Sequence, residues 1–212
     1  MSEKHRQTVF VVDDNQTMLR SVSDFLQASD IDVETYDSAQ AFLGSYDTER
    51  SGCLILDIQM PEMSGLELQT SLCSKGASLP IIIVSGHTVI SDVVRAMKLG
   101  PFEFIEKPYN PELLLERVRG ALRLDRKRRI ESEERAELKN RFDKLSEREK
   151  QILSWVVAGH HSKMIAIKTG LTISTVDNHR ANIMKKLKAN TSADLTRMAL
   201  LIDPHLAFSA EK

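Results

Sequence analysis

Cysteine is nearly absent from this chain of 212 residues: Cys53 and Cys73 are the only two. Their spacing matches no metal motif, and one pair cannot make a disulfide framework. Both are expected as buried free thiols, Cys53 at a strand start and Cys73 in a helix. Long apolar runs are also missing. No stretch reaches about 18 residues, which excludes a membrane span. The start, "MSEKHRQ", has no apolar signal core, so the expected location is the cytoplasm, with no membrane partner. Internal repeats and low-complexity tracts are lacking too. What is there is ordinary for a globular protein, 42% hydrophobic and 28% charged. The length suits one or two domains with a real core.

Net charge is almost nil at −1, yet its distribution is uneven. Residues 1–124 hold 11 Lys and Arg against 18 Asp and Glu, a net −7. Residues 125–143 hold 7 against 6, and residues 144–212 hold 11 against 6, a net +5. An acidic front and a basic back imply two domains with different partners. The basic end is the one to test for nucleic acid.

The front alternates strand and helix patterns. "TVFVV", "IDVETY", "CLILD", "LPIIIVS" and "FEFIE" read as strands. "QTMLRSVSDFLQAS", "SAQAFLGSY", "SGLELQTSLCSK", "VISDVVRAMKLG" and "NPELLLERVRGALRL" read as helices, with Ser38 and Asn110 at cap positions and Pro111 in a first turn. Such alternation makes a parallel α/β sheet, and near-continuous apolar strands fit burial on both faces. The stretch 125–143, "DRKRRIESEERAELKNRFD", has no proline or glycine and is rich in helix formers. It reads as a helical connector that continues the preceding helix, not as a flexible linker. From Leu145 on the pattern is purely helical. A Ser146-x-x-Glu149 capping box opens the first of four helices, and Gly159 and Gly170 close the joins, as in a helix-turn-helix module. Three segments follow: 1–124, 125–143 and 144–212.

In an open parallel sheet, ligands bind beyond the carboxyl ends of the strands. "VFVVDDN" delivers Asp13 and Asp14 there, "LILD" delivers Asp57, "IIIVSG" delivers Ser85 and "FIEKP" delivers Lys107. One carboxylate after an apolar run would be a turn or a cap. Three, with a hydroxyl and an ammonium on one rim, make a site. Clustered carboxylates repel unless a cation joins them, and hard oxygen ligands suit Mg²⁺. Asp57, at the tip of the middle strand, can be a nucleophile toward a phosphoryl group. Mg²⁺ and Lys107 would neutralise the transferring oxygens, and Ser85 would hydrogen-bond one of them.

"VVDDN", "LDIQMPEMSGLEL", "VSGH" and "EKP" together resemble the receiver domain of two-component response regulators, over about residues 8–124. The resemblance implies a flavodoxin-like sheet. It implies phosphorylation of Asp57 by a phospho-histidine kinase. Mg²⁺ is implied at Asp14 and Asp57, at Asp13 through water, and at the main-chain carbonyl of Gln59. Ser85 matches the switch hydroxyl and Phe104 the switch aromatic; Lys107-Pro108 matches the family lysine and its usual cis proline. On phosphorylation Ser85 would move toward the new charge and Phe104 would rotate inward. That would remodel the face around Val89–Leu99 and Phe104. One departure is Pro101, where relatives usually carry alanine. Its missing N–H would alter the loop into the last strand.

At the basic end, "STVDNHRANIMKKLKA" has Ile173, Val176, Ile183 and Leu187 at inward helical spacing. Thr175, Asn178, Arg180, Ala181, Asn182, Lys185 and Lys186 divide among the outer faces. Asn and Arg can read base edges and lysines neutralise phosphates, with Lys163 a further phosphate candidate. A charged helix face is also what plain solvation produces. The stretch from Leu145 to about Ile202 resembles the LuxR/NarL-type helix-turn-helix, in its FixJ branch. Glu149, Gly159, Lys163, Ile165-Ala166, Val176 and His179 carry the match, with His179 half-buried and structural. The resemblance implies base contacts at Asp177, Asn178 and Ala181, with Asp177 accepting from a cytosine amino group or only shaping specificity. It also implies a dimer contact through Leu195, Met198, Ala199 and Ile202. Two modules would read two half-sites of promoter DNA.

The combined expectation is a receiver followed by an all-α four-helix helix-turn-helix domain. The chain would be a phosphorylation-dependent DNA-binding activator that dimerises, with a sensor histidine kinase and RNA polymerase as partners. Its only catalysis would be accepting and losing its own phosphoryl group. Three rivals stand beside it. A haloacid-dehalogenase-like phosphatase would want a D-x-D pair, which "VVDDN" lacks. A silent receiver would serve only as a dimerisation module. A small-molecule sensor would need a cavity in the front half.

Overall fold

The computed structural model describes residues 7–86 and 90–206. Five parallel strands, β1 (Thr8–Val12), β2 (Asp32–Tyr36), β3 (Gly52–Leu56), β4 (Ile81–Ser85) and β5 (Glu103–Glu106), form one sheet in the order β2-β1-β3-β4-β5. Helices α1 (Gln16–Gln27), α2 (Ala39–Ser45), α3 (Gly65–Ser74), α4 (Ile90–Lys98) and α5 (Pro111–Asp143) follow the strands in turn. Parallel register pairs Val12 with Leu56, so both strands end on one rim. β3 and β4 are buried at every position. Their side chains feed two apolar layers. Phe10, Leu54, Leu56 and Ile83 lie in one layer, and Val9, Val11, Ile55 and Ile82 in the other. Burial on both faces is why these strands read as unbroken apolar runs.

The caps are local. Ser38 accepts from Ala41 N–H, and Asn15 accepts from Thr17 and Met18 N–H. Ser64 and Glu67 form a capping box at α3. Cys53 is buried, but Cys73 is exposed, so the expectation of two buried thiols holds for one. Position 73 lies off the α3 stripe that buries Leu66, Gln69 and Leu72.

The chain divides into two compact units between Arg129 and Ile130. The division falls inside α5, one unbroken helix of 33 residues. Residues 125–129 belong with the sheet because Asp125, fully buried, gathers donors from the strand starts. It accepts from Gly52 N–H at 2.9 Å, Gln7 Nε2 at 3.2 Å, Arg129 Nε at 3.0 Å and the Ser51 hydroxyl. Arg129 also donates to the carbonyls of Glu49, Thr48 and Arg50.

The second unit packs α6 (Glu147–Val157), α7 (Ser162–Thr169), α8 (Ile173–Leu187) and α9 (Ser192–Ile202) around Ile152, Leu153, Ile165, Val176, Ile183, Leu187 and Leu195. The capping box at α6 forms as the sequence implies, and a second, Thr191 with Asp194, opens α9. Gly170 ends α7 in the left-handed region, φ 69°, which glycine adopts without steric cost. No helix among the described residues is long and apolar enough to cross a membrane.

Candidate functional site

The rim at the carboxyl ends of β1, β3, β4 and β5 collects the polar residues. Carboxylate oxygens of Asp13, Asp14 and Asp57 lie within 4.8 Å of one another, with Asp13 and Asp57 buried and Asp14 exposed. Lys107 Nζ donates to Asp13 at 2.7 Å and approaches Asp57 at 3.4 Å. Ser85 is fully buried, and among the described residues its hydroxyl has no hydrogen-bond partner. Such an orphan is costly, of order 1–3 kcal/mol, unless something else meets it. Gly65, the first residue of α3, holds the loop closed beneath Asp57. A Cβ there would stand 2.1 Å from the Asp57 carbonyl oxygen, so only glycine permits this approach.

Electrostatics follow from this crowding. Burial pushes the Asp57 carboxyl above its ordinary value; Asp13 adds to this, while Lys107 and the Ile58 N–H oppose it. Burial works against the Lys107 cation, yet the bond to Asp13 and the field of Asp57 outweigh it and raise its pKa. Asp13 and Asp57 share the Lys107 ammonium, with Asp14 beside them. The donor set suits a small, hard divalent cation, since carboxylate oxygens are abundant and nitrogen or sulfur ligands are missing from the group. Gln59, whose carbonyl the resemblance adds to that set, is exposed in the loop after Asp57.

Phe104 is half-buried against the layer holding Leu54, Leu56 and Ile83. On α4, Val94 and Met97 are 47% and 55% exposed, so this helix turns apolar side chains outward. His87, in the quoted "VSGH", and Val89, at the start of the expected switching face, lie outside the described residues. The Lys107-Pro108 bond is cis. Pro101 costs the sheet nothing. It precedes β5, and the first donation to β4 comes from Phe102 N–H to Ile81 O at 2.7 Å.

In the second unit the outer face of α8 is more occupied than its sequence suggests. Thr175 contributes its N–H to the Thr172 cap, and its hydroxyl lies 2.8 Å from that of Thr172. Asp177 accepts from the Ser162 hydroxyl at 2.6 Å. Arg180 donates to Ser192 at 3.4 Å. Lys186 donates to the buried Glu149 at 2.7 Å and to the Lys144 carbonyl at 3.3 Å. Lys186 is therefore a tie between α8 and the start of α6. Asn178, Ala181, Asn182 and Lys185 are exposed, as is Lys163 near the start of α7. His179 is half-buried.

Two sequence expectations are corrected here. Ile173 is 49% exposed, because it opens α8 a turn before the inward stripe begins at Val176. Periodicity gives the face of a helix, not how far along it the neighbours reach. Leu195 and Ala199, expected at a dimer contact, are 1% and 0% exposed. They fill the core of their own unit and leave no surface for a second copy. Met198 and Ile202 are half-buried, and the large apolar side chains that α9 does expose are Leu200 and Leu201. Ser162 was not singled out from the sequence. A serine 15 residues from its partner leaves no local signal.

Comparison with known proteins agrees with both halves. Residues 9–119 match the response regulator receiver domain family, and residues 143–199 match the luxR family of bacterial regulatory proteins. Response regulator protein TodT of Pseudomonas putida is 38% identical over 190 residues, 90% of this chain and 84% of TodT. Transcriptional regulatory protein FixJ of Rhizobium meliloti is 37% identical over 193 residues, 91% of this chain and 95% of FixJ. The solved structure of response regulator StyR superposes with a TM-score of 0.84 at 38% identity, covering 92% of this chain and 98% of that one. The likeness runs through both units and their order. The chain belongs to the two-component response regulators that join a receiver domain to a LuxR-type helix-turn-helix, and it is a DNA-binding transcriptional regulator rather than an enzyme of metabolism.

Proposed function

We propose that Asp57 is the phosphoacceptor through which a sensor histidine kinase controls DNA binding by this chain. The observation that carries the reading is the rim itself. Asp13, Asp14 and Asp57 converge within 4.8 Å, Lys107 touches two of them, and the orphaned Ser85 hydroxyl is buried at the same strand ends. An Asp57 oxygen attacks phosphorus, and the bond from phosphorus to the kinase imidazole breaks. The burial that raises the Asp57 pKa makes its carboxylate a stronger base and nucleophile. Lys107 balances charge on the incoming oxygens, and Ser85 donates its hydroxyl to one of them. Mg²⁺, held by Asp13, Asp14, Asp57 and the Gln59 carbonyl, would supply the remaining positive charge that phosphoryl transfer needs. Slow loss of the group to water resets the site.

The readout follows from vacated space. Ser85 turning to the phosphoryl group lets Phe104 move inward, and α4 with Val94 and Met97 changes its outer face. Activated chains pair through that face, and two helix-turn-helix units then read two half-sites. Lys163, Asn178, Ala181, Asn182 and Lys185 are the contacts to DNA that burial and side-chain pairing favour. Arg180, Thr175 and Asp177 join them from positions already tied within the unit. We further propose that the chain works in the cytoplasm and activates transcription with RNA polymerase.

The test is mass and DNA binding of the full-length protein with and without beryllofluoride and Mg²⁺. Conversion of monomer to dimer with tighter promoter binding is expected. If neither changes, the receiver is a silent dimerisation module and the reading falls.

A further inference from the structure

Asp177 poses a problem for a helix that reads DNA. It is a carboxylate on the outer face of α8, where the neighbours to be met are phosphates. Its partner is unusual. The Ser162 hydroxyl donates to Asp177 Oδ1 at 2.6 Å, across 15 residues and between two helices. Ser162 is the first residue of α7, and the residue before it, His161, makes no side-chain cap. A serine so close to a helix start ordinarily turns its oxygen to its own backbone. This one points its hydrogen at α8 instead. The carboxylate is thereby drawn toward the positive end of α7 and away from free rotation.

We infer that Ser162 is a positioning residue for sequence recognition, holding Asp177 so that a single oxygen faces the base edges and accepts from a cytosine amino group. This rests on the reading of α8 as the DNA-reading helix. The chemistry follows from orientation. An ionised carboxylate only accepts. Ser162 turns Oδ1 toward α7, so Oδ2 is the oxygen left to face the groove. In the major groove, guanine offers acceptors at O6 and N7, and thymine offers an acceptor and a methyl group. Both repel or fail to meet a carboxylate. Adenine offers one amino group beside the N7 acceptor, so a carboxylate gains there and loses beside it. Cytosine offers its N4 amino group with a C–H on one side and an acceptor, the paired guanine O6, on the other side alone, whereas the adenine amino group lies between two acceptors. A fixed single acceptor therefore selects cytosine. A freely rotating Asp177 would lose that register and would only oppose the nearby phosphates.

The experiment is selection of bound duplexes from a randomised pool by the full-length protein. Wild type, Ser162→Ala, Ser162→Thr and Asp177→Asn are compared at one salt concentration, with thermal melts to show that each folds. Wild type is expected to prefer cytosine at one position in each half-site. Ser162→Ala is expected to weaken that preference by about tenfold, the worth of one good base contact, with other positions unchanged. Ser162→Thr keeps the hydroxyl and is expected to keep the preference. Asp177→Asn, which can both donate and accept, should move it toward adenine. If Ser162→Ala lowers the melting temperature but leaves the cytosine preference whole, the pair is only a helix tie and the inference is wrong. A wild-type selection that is specific yet shows no cytosine position also overturns it, while DNA recognition stands. If wild type selects nothing, α8 does not read DNA and both readings fall together.

Discussion

Two carboxylates sit at opposite ends of the same sheet. Asp125 lies at the amino ends of β1 and β3, fully buried, with donors from Gly52, Gln7, Ser51 and Arg129. Asp57 lies at the carboxyl end of β3, 7% exposed, beside two further carboxylates and one shared lysine. Burial raises the Asp57 pKa, because its neighbours offer too little positive charge. The difference separates structure from function by supply of donors. A saturated carboxylate holds loops in place and has nothing left to bind. An undersupplied cluster is unstable by itself and is relieved by a cation or a phosphoryl group.

Exchange of each acid for a neutral residue breaks the comparison most sharply. Asp57→Asn is expected to abolish phosphorylation from a small-molecule phosphodonor while leaving the fold intact. Mg²⁺-dependent labelling that persists in this variant would sink the assignment. Because the change removes one charge from a repelling group, its melting temperature in metal-free buffer should equal or exceed that of wild type. Asp125→Ala should do the reverse. It takes the acceptor from the Gly52 N–H and the Ser51 hydroxyl, and the counter-charge from Arg129, at a cost of about 3–5 kcal/mol. Its phosphorylation should survive at temperatures where the protein stays folded. Melts and labelling of the same two proteins test both halves, and equal destabilisation by the two changes would remove the distinction.

The acidic rim was legible in the sequence because strand ends are legible. Asp13, Asp57 and Ser85 each follow an apolar run directly, Lys107 stands one residue past the short run Phe104-Ile105, and parallel topology brings those ends together. Local caps such as Ser38 and the Ser146–Glu149 box were legible for the same reason, since partners three residues apart leave a pattern. Contacts between distant residues left none. Asp125, Lys186 and Asp177 each look like one more surface charge, and only packing shows that each is bound across 15 residues or more. The same blindness put Leu195 and Ala199 at a dimer surface. An apolar face of α9 predicts burial, not what buries it.

The comparison extends to the second unit through Glu149, 4% exposed. Burial alone would raise its pKa, but the bonds from Lys186 and Ser146 outweigh that and lower it. Glu149 is thus of the Asp125 kind, a supplied acid. A group whose folded pKa is depressed contributes stability above its unfolded value, near 4.5, and loses it as pH falls through the folded one. Thermal melts of the helix-turn-helix transition should therefore weaken below about pH 4.5. Glu149→Gln should cost about 2 kcal/mol at neutral pH and flatten that part of the acid dependence. An unchanged acid profile in the variant would show that Glu149 is not the group responsible.

Two adjacent lysines give the smallest and most discriminating contrast. Both are exposed, but Lys186 is held by Glu149, whereas Lys185 stands one residue earlier on the same helix without that tie. A lysine that neutralises a phosphate releases a counterion, so DNA affinity falls with salt, by close to one unit of log–log slope for each such contact. Lys185→Ala should lower the magnitude of that slope by about one and leave the melting temperature unchanged. Lys186→Ala should lower the melting temperature, since it takes the cation from the buried Glu149 and leaves it only the Ser146 cap, and should leave the slope nearly as it was. Titrations of each variant against one duplex at several salt concentrations measure both slopes. A reversed pattern would make Lys186 the phosphate contact and reduce its bond to Glu149 to a resting position of the DNA-free protein. A flat salt response in wild type would count against lysine–phosphate contacts on α8 altogether.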